Sequence, residues 1–215
     1  MRNPEAQARK DICELGRRMW QRGFCAGNEG NLSVRLGADL VLCTPTGVSK
    51  GFMRPEMMAV VDMEGKQVAA PAGKRATSEI RLHLAIYRKR ADVGAVIHSH
   101  TPHATAFACA AEANRAGALP MGVHPEAEVF LGRVPVVSYC TPGTEAVGEG
   151  CCAAIEPKTN SVLLGNHGLV CFAETLTETW TNLEMVEAYC RLLMMLKQIG
   201  GPRKLTAAEL RVLAQ

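Results

Sequence analysis

The chain has no apolar run approaching the ~20 residues that a membrane-spanning helix needs, and its amino terminus lacks the pattern of a secretory leader. A soluble, unprocessed protein is expected. An excess of one charge is missing too: 24 basic residues against 21 acidic ones leave a scattered net charge of +3. The cluster Arg88-Lys89-Arg90 reads as a solvated helix end rather than part of a nucleic-acid stripe, so polyanion binding is not supported. None of the nine cysteines forms a Cys-x-x-Cys, which removes a zinc knuckle or a redox dithiol. Their odd number, and the apolar runs around Cys43, Cys109, Cys171 and Cys190, point to reduced core thiols. Adjacent Cys151 and Cys152 are badly placed to bridge each other, and a reducing cytoplasm follows. No repeat, low-complexity segment or linker divides the 215 residues, of which 47% are apolar, so a single domain over 1–215 is expected.

The pattern interleaves helices and strands. Asn3 and Pro4 make a cap and first-turn pair for a helix to about Arg22, with Ile12, Leu15 and Met19 on one face until Gly23 stops it. Alternation over Asn31 to Leu36, a turn at Gly37-Ala38-Asp39 and the apolar Leu40 to Cys43 predict a β-hairpin. Further strands are expected at Met58 to Asp62, Gln67 to Ala69, Ala95 to His98, Val134 to Tyr139, Ser161 to Leu164 and Leu169 to Phe172. Helices are expected from Thr77 or Ser78 through Tyr87, from Thr101-Pro102, from Thr144 to about Ile155, and from a Thr175/Glu178 capping box to Gly200-Gly201-Pro202. Strands outnumber βαβ crossovers and hairpins are present, which predicts a layered α/β domain: a mixed, mainly antiparallel central sheet flanked by helices.

The chemistry concentrates in three short segments. His98-Ser99-His100 closes an apolar run, and its spacing of two puts both imidazoles on one face of a strand. Such a pair alone also describes one core histidine beside an exposed one. His167, in Gly165-Asn166-His167-Gly168 between two predicted strands, adds a third imidazole where active sites collect, and Glu79 adds a carboxylate. Together they make a complete set for a tetrahedral cation. His83, His103 and His124 have no partner at ligand spacing and read as bystanders.

Two loops and one helix start could cradle an anion. Gly27-Asn28-Glu29-Gly30-Asn31 and Thr44-Pro45-Thr46-Gly47 are rich in glycine, hydroxyls and turn residues, which aim backbone N–H groups inward. Thr77-Ser78 opens a helix, where free N–H groups and the dipole favour phosphate. Each is also ordinary turn chemistry. Their conjunction with Glu79 singles them out.

In this order, Gly30-Asn31-Leu32-Ser33, Thr44-Pro45-Thr46-Gly47, Thr77-Ser78-Glu79, His98-Ser99-His100 and Asn166-His167-Gly168 resemble the class II aldolase family, typified by L-fuculose-1-phosphate aldolase and L-ribulose-5-phosphate 4-epimerase. The likeness runs over residues 10 to 197. It implies zinc on His98, His100 and His167, with Glu79 near the metal and serving as acid/base. Gly30, Asn31, Thr46, Gly47, Thr77 and Ser78 would hold the phosphate of a small substrate. It further implies a C4 homotetramer with active sites at subunit junctions. Manganese, cobalt or iron would suit the same donors. Two departures leave the aldehyde open: His124 aligns where the aldolase has a tyrosine reaching a neighbouring subunit's site, and Pro142 falls near an aromatic position. Gly201 to Gln215 also lacks the family's late tyrosine.

The expected reaction is therefore reversible aldol cleavage of a ketose 1-phosphate to dihydroxyacetone phosphate and an aldehyde. A divalent ion stabilises the enediolate as a Lewis acid, and Glu79 moves a proton to and from carbon. Decarboxylation of a phosphorylated keto acid, or dehydration of methylthioribulose phosphate, would use the same donors. The epimerase motif has aspartate where Glu79 stands, which favours the aldolase. The adducin head domain resembles the fold as a non-catalytic module without the metal set, whereas here the histidines and Glu79 all stand.

Overall fold

A computed structural model describes residues 4–213. Helix α1 (Pro4–Gln21) starts at the proline, and the Asn3 cap expected before it lies outside the described residues. Ile12, Leu15 and Met19 are buried along its inner face, as their spacing requires. Strands follow as β1 (Asn31–Leu36), β2 (Leu40–Cys43), β3 (Ala59–Asp62), β4 (Gln67–Ala69), β5 (Ala95–Ser99), β6 (Val136–Val137), β7 (Ser161–Leu164) and β8 (Gly168–Ala173). They form one sheet in the order β4-β3-β2-β1-β5-β8-β7-β6, antiparallel at every pairing except β6 with β7. This is the mixed, mainly antiparallel sheet that the hairpin pattern predicts.

Helices α2 (Ile80–Lys89), α3 (Pro102–Cys109), α4 (Ala111–Ala116), α5 (Glu145–Ala153), α6 (Leu176–Gln198) and α7 (Ala207–Leu213) flank it. Alternation along the strands divides the apolar side chains between two faces. Leu42, Ile97, Leu169 and Cys171 pack with Ile12 and Met19 of α1 and Leu183 and Val186 of α6. Val41, Cys43, Val96, Val170 and Phe172 pack on the other face with Leu84 and Tyr87 of α2 and Val147 and Cys151 of α5. Burial of each such aliphatic side chain contributes roughly 1.5–3 kcal/mol, so both helical layers are held to the sheet. The α2 face also carries the chemistry.

Several expectations are corrected. The strand expected over Val134 to Tyr139 shrinks to β6, because Pro135 has no N–H for a ladder and Tyr139 is exposed. Helix α2 begins at Ile80, two or three residues later than its hydroxyls suggested; Thr77 Oγ1 accepts from Glu79 N at 3.3 Å instead of capping deeper turns. Thr144 precedes α5 without a capping bond, its hydroxyl donating to Thr141 O at 2.7 Å. The capping box of α6 forms as expected between Thr175 and Glu178. All the cysteines are free thiols, but Cys109 is exposed rather than in the core, since it ends α3 on the outer side. Among the described residues no helix is long and apolar enough to cross a membrane.

Candidate active site

The site grows from the β1–β5 pairing. Register sets Asn31 opposite His98 and Ser33 opposite Val96, so Asn31, Ser33 and His98 project from the α2 face. His98 is fully buried, whereas His100, just past the end of β5, is partly exposed. His167 arrives on the turn between β7 and β8, where Asn166 takes φ +53°. Asparagine accepts that left-handed conformation more readily than other side chains. Gly168 follows because no space remains: a Cβ there would sit 2.7 Å from Ser99 O and 2.8 Å from His100 Cδ2.

These segments converge on one point. The three imidazole rings lie 4.6 to 5.0 Å apart, with ligand nitrogens within 4.8 Å of one another. His98 Nε2 is 3.1 Å from His100 Nε2. Glu79 places Oε2 3.4 Å from His98 Nε2 and Oε1 3.3 Å from His167 Nε2. Glu79 can reach them because it sits just before α2 and its carboxylate makes no cap bond.

The cluster fits a divalent ion. His98 Nδ1 lies 3.0 Å from Leu169 O, and a carbonyl only accepts, so Nδ1 carries the proton and Nε2 turns its lone pair inward. Burial pushes the His98, His100 and His167 imidazoles below their ordinary pKa, and the neighbouring histidines push His98 and His100 further. Neutral rings are the form that binds a metal. Glu79 Oε1 and His167 Nδ1 are buried with no hydrogen-bond partner. An unmatched carboxylate oxygen among inward-facing lone pairs is the donor set of zinc, and serves manganese, cobalt or iron as well.

Beside Glu79 opens a cleft of ≈ 100 Å³, lined by Gly30, Asn31, Thr46, Gly47, Thr77 and Ser78, all the residues expected to hold phosphate. Three segments are knitted around it: Leu32 N donates to Thr44 Oγ1 at 3.2 Å, Thr77 N to Thr44 O at 3.0 Å and Thr46 N to Arg75 O at 3.0 Å. Gly30 is required twice over, by φ +76° and because a Cβ would come within 3.1 Å of His98 O.

Two residues escaped the sequence reading. Lys50 also lines the cleft, is 1% exposed, and donates to Asn28 O at 3.0 Å and Val48 O at 2.6 Å. Among the described residues it forms no salt bridge, and burial pushes its pKa down. A buried ammonium satisfied only by carbonyls suits an anion arriving next to it. Its one signal was position, just after the Thr46-Gly47 turn, and a loop lysine is ordinarily a solvated charge. His83, read as a bystander, is fully buried with Nε2 2.5 Å from Asn31 Oδ1. His103 and His124 are apart from the cluster, His103 Nδ1 2.6 Å from Glu187 and His124 Nδ1 3.2 Å from Glu126.

Residues 10–194 match the family model for the Class II Aldolase and Adducin N-terminal domain. The chain belongs to this family. Within the class II aldolase family, it is 32% identical to the 3-oxo-tetronate 4-phosphate decarboxylase of Pectobacterium atrosepticum, over 94% of this chain and 88% of that one. It is 34% identical to the L-fuculose phosphate aldolase of Methanococcus vannielii, over 84% of this chain and 91% of that one. Among solved structures, YgbL of Escherichia coli, assigned among aldolase, epimerase and decarboxylase, superposes with a TM-score of 0.90 at 28% identity, covering 99% of this chain and 100% of that one. Class II aldolase relatives of two different activities are thus similar to this chain to a comparable degree.

Proposed function

We propose that the chain is a metal-dependent lyase that forms the enediolate of dihydroxyacetone phosphate by reversible aldol cleavage of a ketose 1-phosphate, of the fuculose 1-phosphate type. The observation that carries this reading is Glu79, which stands within 3.4 Å of two cluster histidines and also lines the anion cleft. A proton-moving carboxylate, a cation site and a phosphate recess are thereby joined. The phosphate, held by Asn31, Thr46, Gly47, Thr77 and Ser78 with Lys50 behind them, supplies remote binding energy that orients the carbon skeleton. Glu79 then delivers or removes a proton at the carbon that becomes the hydroxymethyl group of dihydroxyacetone phosphate. A divalent ion on His98, His100 and His167 would act as a Lewis acid toward the ketone and adjacent hydroxyl oxygens.

Decarboxylation of 3-oxo-tetronate 4-phosphate is the second reading, favoured by the likeness to the Pectobacterium enzyme. Breaking the C1–C2 bond of that substrate leaves the electron pair on C2, giving the same enediolate, while carbon dioxide departs without a proton. Aldol chemistry additionally needs a group to handle the proton on the aldehyde oxygen, and His124 stands at the aligned tyrosine position. We propose as well the C4 homotetramer that the family resemblance implies, and the free thiols suit a reducing cytoplasm.

Product analysis separates the readings. Incubated with zinc and L-fuculose 1-phosphate, the chain is expected to release dihydroxyacetone phosphate and an aldehyde, and to lose this activity with a chelator. Carbon dioxide from 3-oxo-tetronate 4-phosphate, without ketose cleavage, would install the second reading. No turnover of either, with no deuterium entering dihydroxyacetone phosphate in D₂O, would refute both.

The phosphate role has its own test. Lys50→Met is expected to weaken inorganic phosphate binding by about tenfold or more, the scale of a lost charge-assisted contact. Titration calorimetry on a variant of unchanged melting temperature checks this, and parental affinity would remove Lys50 from the recess.

A further inference from the structure

We propose that His83, backed by Ser33 and Tyr87, is a positioning residue for Glu79 and acts through the side-chain amide of Asn31. The inference rests on Glu79 being the proton-moving group of the reading above. The periods of β1 and α2 match. Residues two apart on a strand are separated by about 6.6 Å, and residues four apart on a helix rise by about 6 Å. Asn31 and Ser33 of β1 therefore meet Glu79, His83 and Tyr87, which lead into and run along α2, rung for rung.

The bonds form one unbroken chain. Asn31 Nδ2 lies 2.8 Å from Glu79 Oε2, Asn31 Oδ1 2.5 Å from His83 Nε2, His83 Nδ1 2.7 Å from Ser33 Oγ, and Ser33 Oγ 2.8 Å from Tyr87 Oη. Asn31, Ser33, His83 and Tyr87 are all buried. The direction of every proton follows from one end. An ionised carboxylate only accepts, so Asn31 must turn its NH₂ to Glu79 and its carbonyl to His83. His83 then carries its proton on Nε2, leaving Nδ1 to accept from the Ser33 hydroxyl, which in turn accepts from Tyr87. Burial keeps the imidazole neutral, its pKa pushed down to about 3.

A donor at the His83 position holds the amide in that orientation, because the reversed amide would set its NH₂ against the His83 N–H as well as its oxygen against the carboxylate. Held this way, Glu79 Oε2 is anchored on Asn31 while Oε1, buried and unpartnered, remains 3.3 Å from His167 Nε2. The network thus fixes which carboxylate oxygen is free to work. His83 belongs to neither the ligand cluster nor the lining of the cleft, so its effect is on the geometry of Glu79 rather than on binding.

The test uses the zinc-loaded chain and deuterium exchange into dihydroxyacetone phosphate, which asks only for proton movement at carbon. His83→Leu is expected to lower kcat for exchange by about 10- to 100-fold, the usual cost of losing a group that orients a site residue, with KM and metal content near parental values. His83→Gln, whose amide offers a donor and an acceptor to the same neighbours, is expected to recover most of that rate. A folded, metal-loaded His83→Leu exchanging at the parental rate overturns the proposal, and so does an equal loss in both variants. If His83→Leu does not fold, Tyr87→Phe decides: lower kcat at unchanged KM supports the network, and parental kcat overturns it. Glu79→Gln tells the two failures apart. Parental exchange in that variant removes the functional reading itself, whereas loss there with parental His83 variants removes only this inference.

Discussion

Alanine at His98 or His167 is expected to strip the divalent ion from the purified chain and abolish turnover with it. The parent should carry about one ion per subunit, because converging imidazoles in a buried corner are unfavourable unless a cation joins them. Removing one of three nitrogen donors leaves two rings and a carboxylate already hydrogen-bonded to Asn31, too few to hold an ion through purification. His103→Ala is the control, since that ring is bound to Glu187 instead. Elemental analysis reads the outcome directly. Thermal melting adds a second view: an ion that binds only the folded state raises stability by mass action, so a chelator should lower the parent's Tm and leave both cluster variants unmoved. Metal content unchanged in both variants would remove the foundation of the proposed chemistry.

What could be read beforehand follows a physical division. Local periodicity reports burial on one side of an element, so α1, the β1–β2 hairpin, β4 and the α6 capping box were legible within a residue or two. The short α4 and α7 and the 3-10 turns at Lys50–Phe52 and Pro55–Met57 carry no sustained apolar stripe, so nothing in their composition announced them. The site followed the same rule. His98, His100 and His167 stand in segments whose glycine, asparagine and hydroxyl content is itself unusual, and that made them visible one by one. His83 and Lys50 do not. The role of His83 depends on the register of β1 against α2, across about fifty residues of sequence (His83 Nδ1 meets Ser33 Oγ at 2.7 Å), and a buried lysine looks like any surface lysine until the loops close over it. Second partners of functional groups are set by topology, which spacing along the chain does not encode.

Glu79→Gln is expected to cut turnover by about 10²-fold or more while the ion stays bound, the usual scale for removing a general acid/base. The change is nearly isosteric, and the glutamine carbonyl can still accept from Asn31 Nδ2, which now meets Glu79 Oε2 at 2.8 Å. Position is therefore kept. What disappears is the charge and basicity that let Oε1, buried and without a hydrogen-bond partner, take a proton from carbon or return one. His98, His100 and His167 remain as nitrogen donors, so metal content should match the parent, and Asn31, Thr46, Gly47, Thr77 and Ser78 of the cleft are unchanged, so KM should move little. A loss confined to kcat therefore distinguishes proton transfer from metal holding: if Glu79 served chiefly as a ligand, the variant would lose its ion and regain activity when zinc is raised. Deuterium exchange into dihydroxyacetone phosphate, followed by NMR with zinc in excess, makes the comparison without committing to either electrophile. Exchange at a near-parental rate would show that some other group moves the proton.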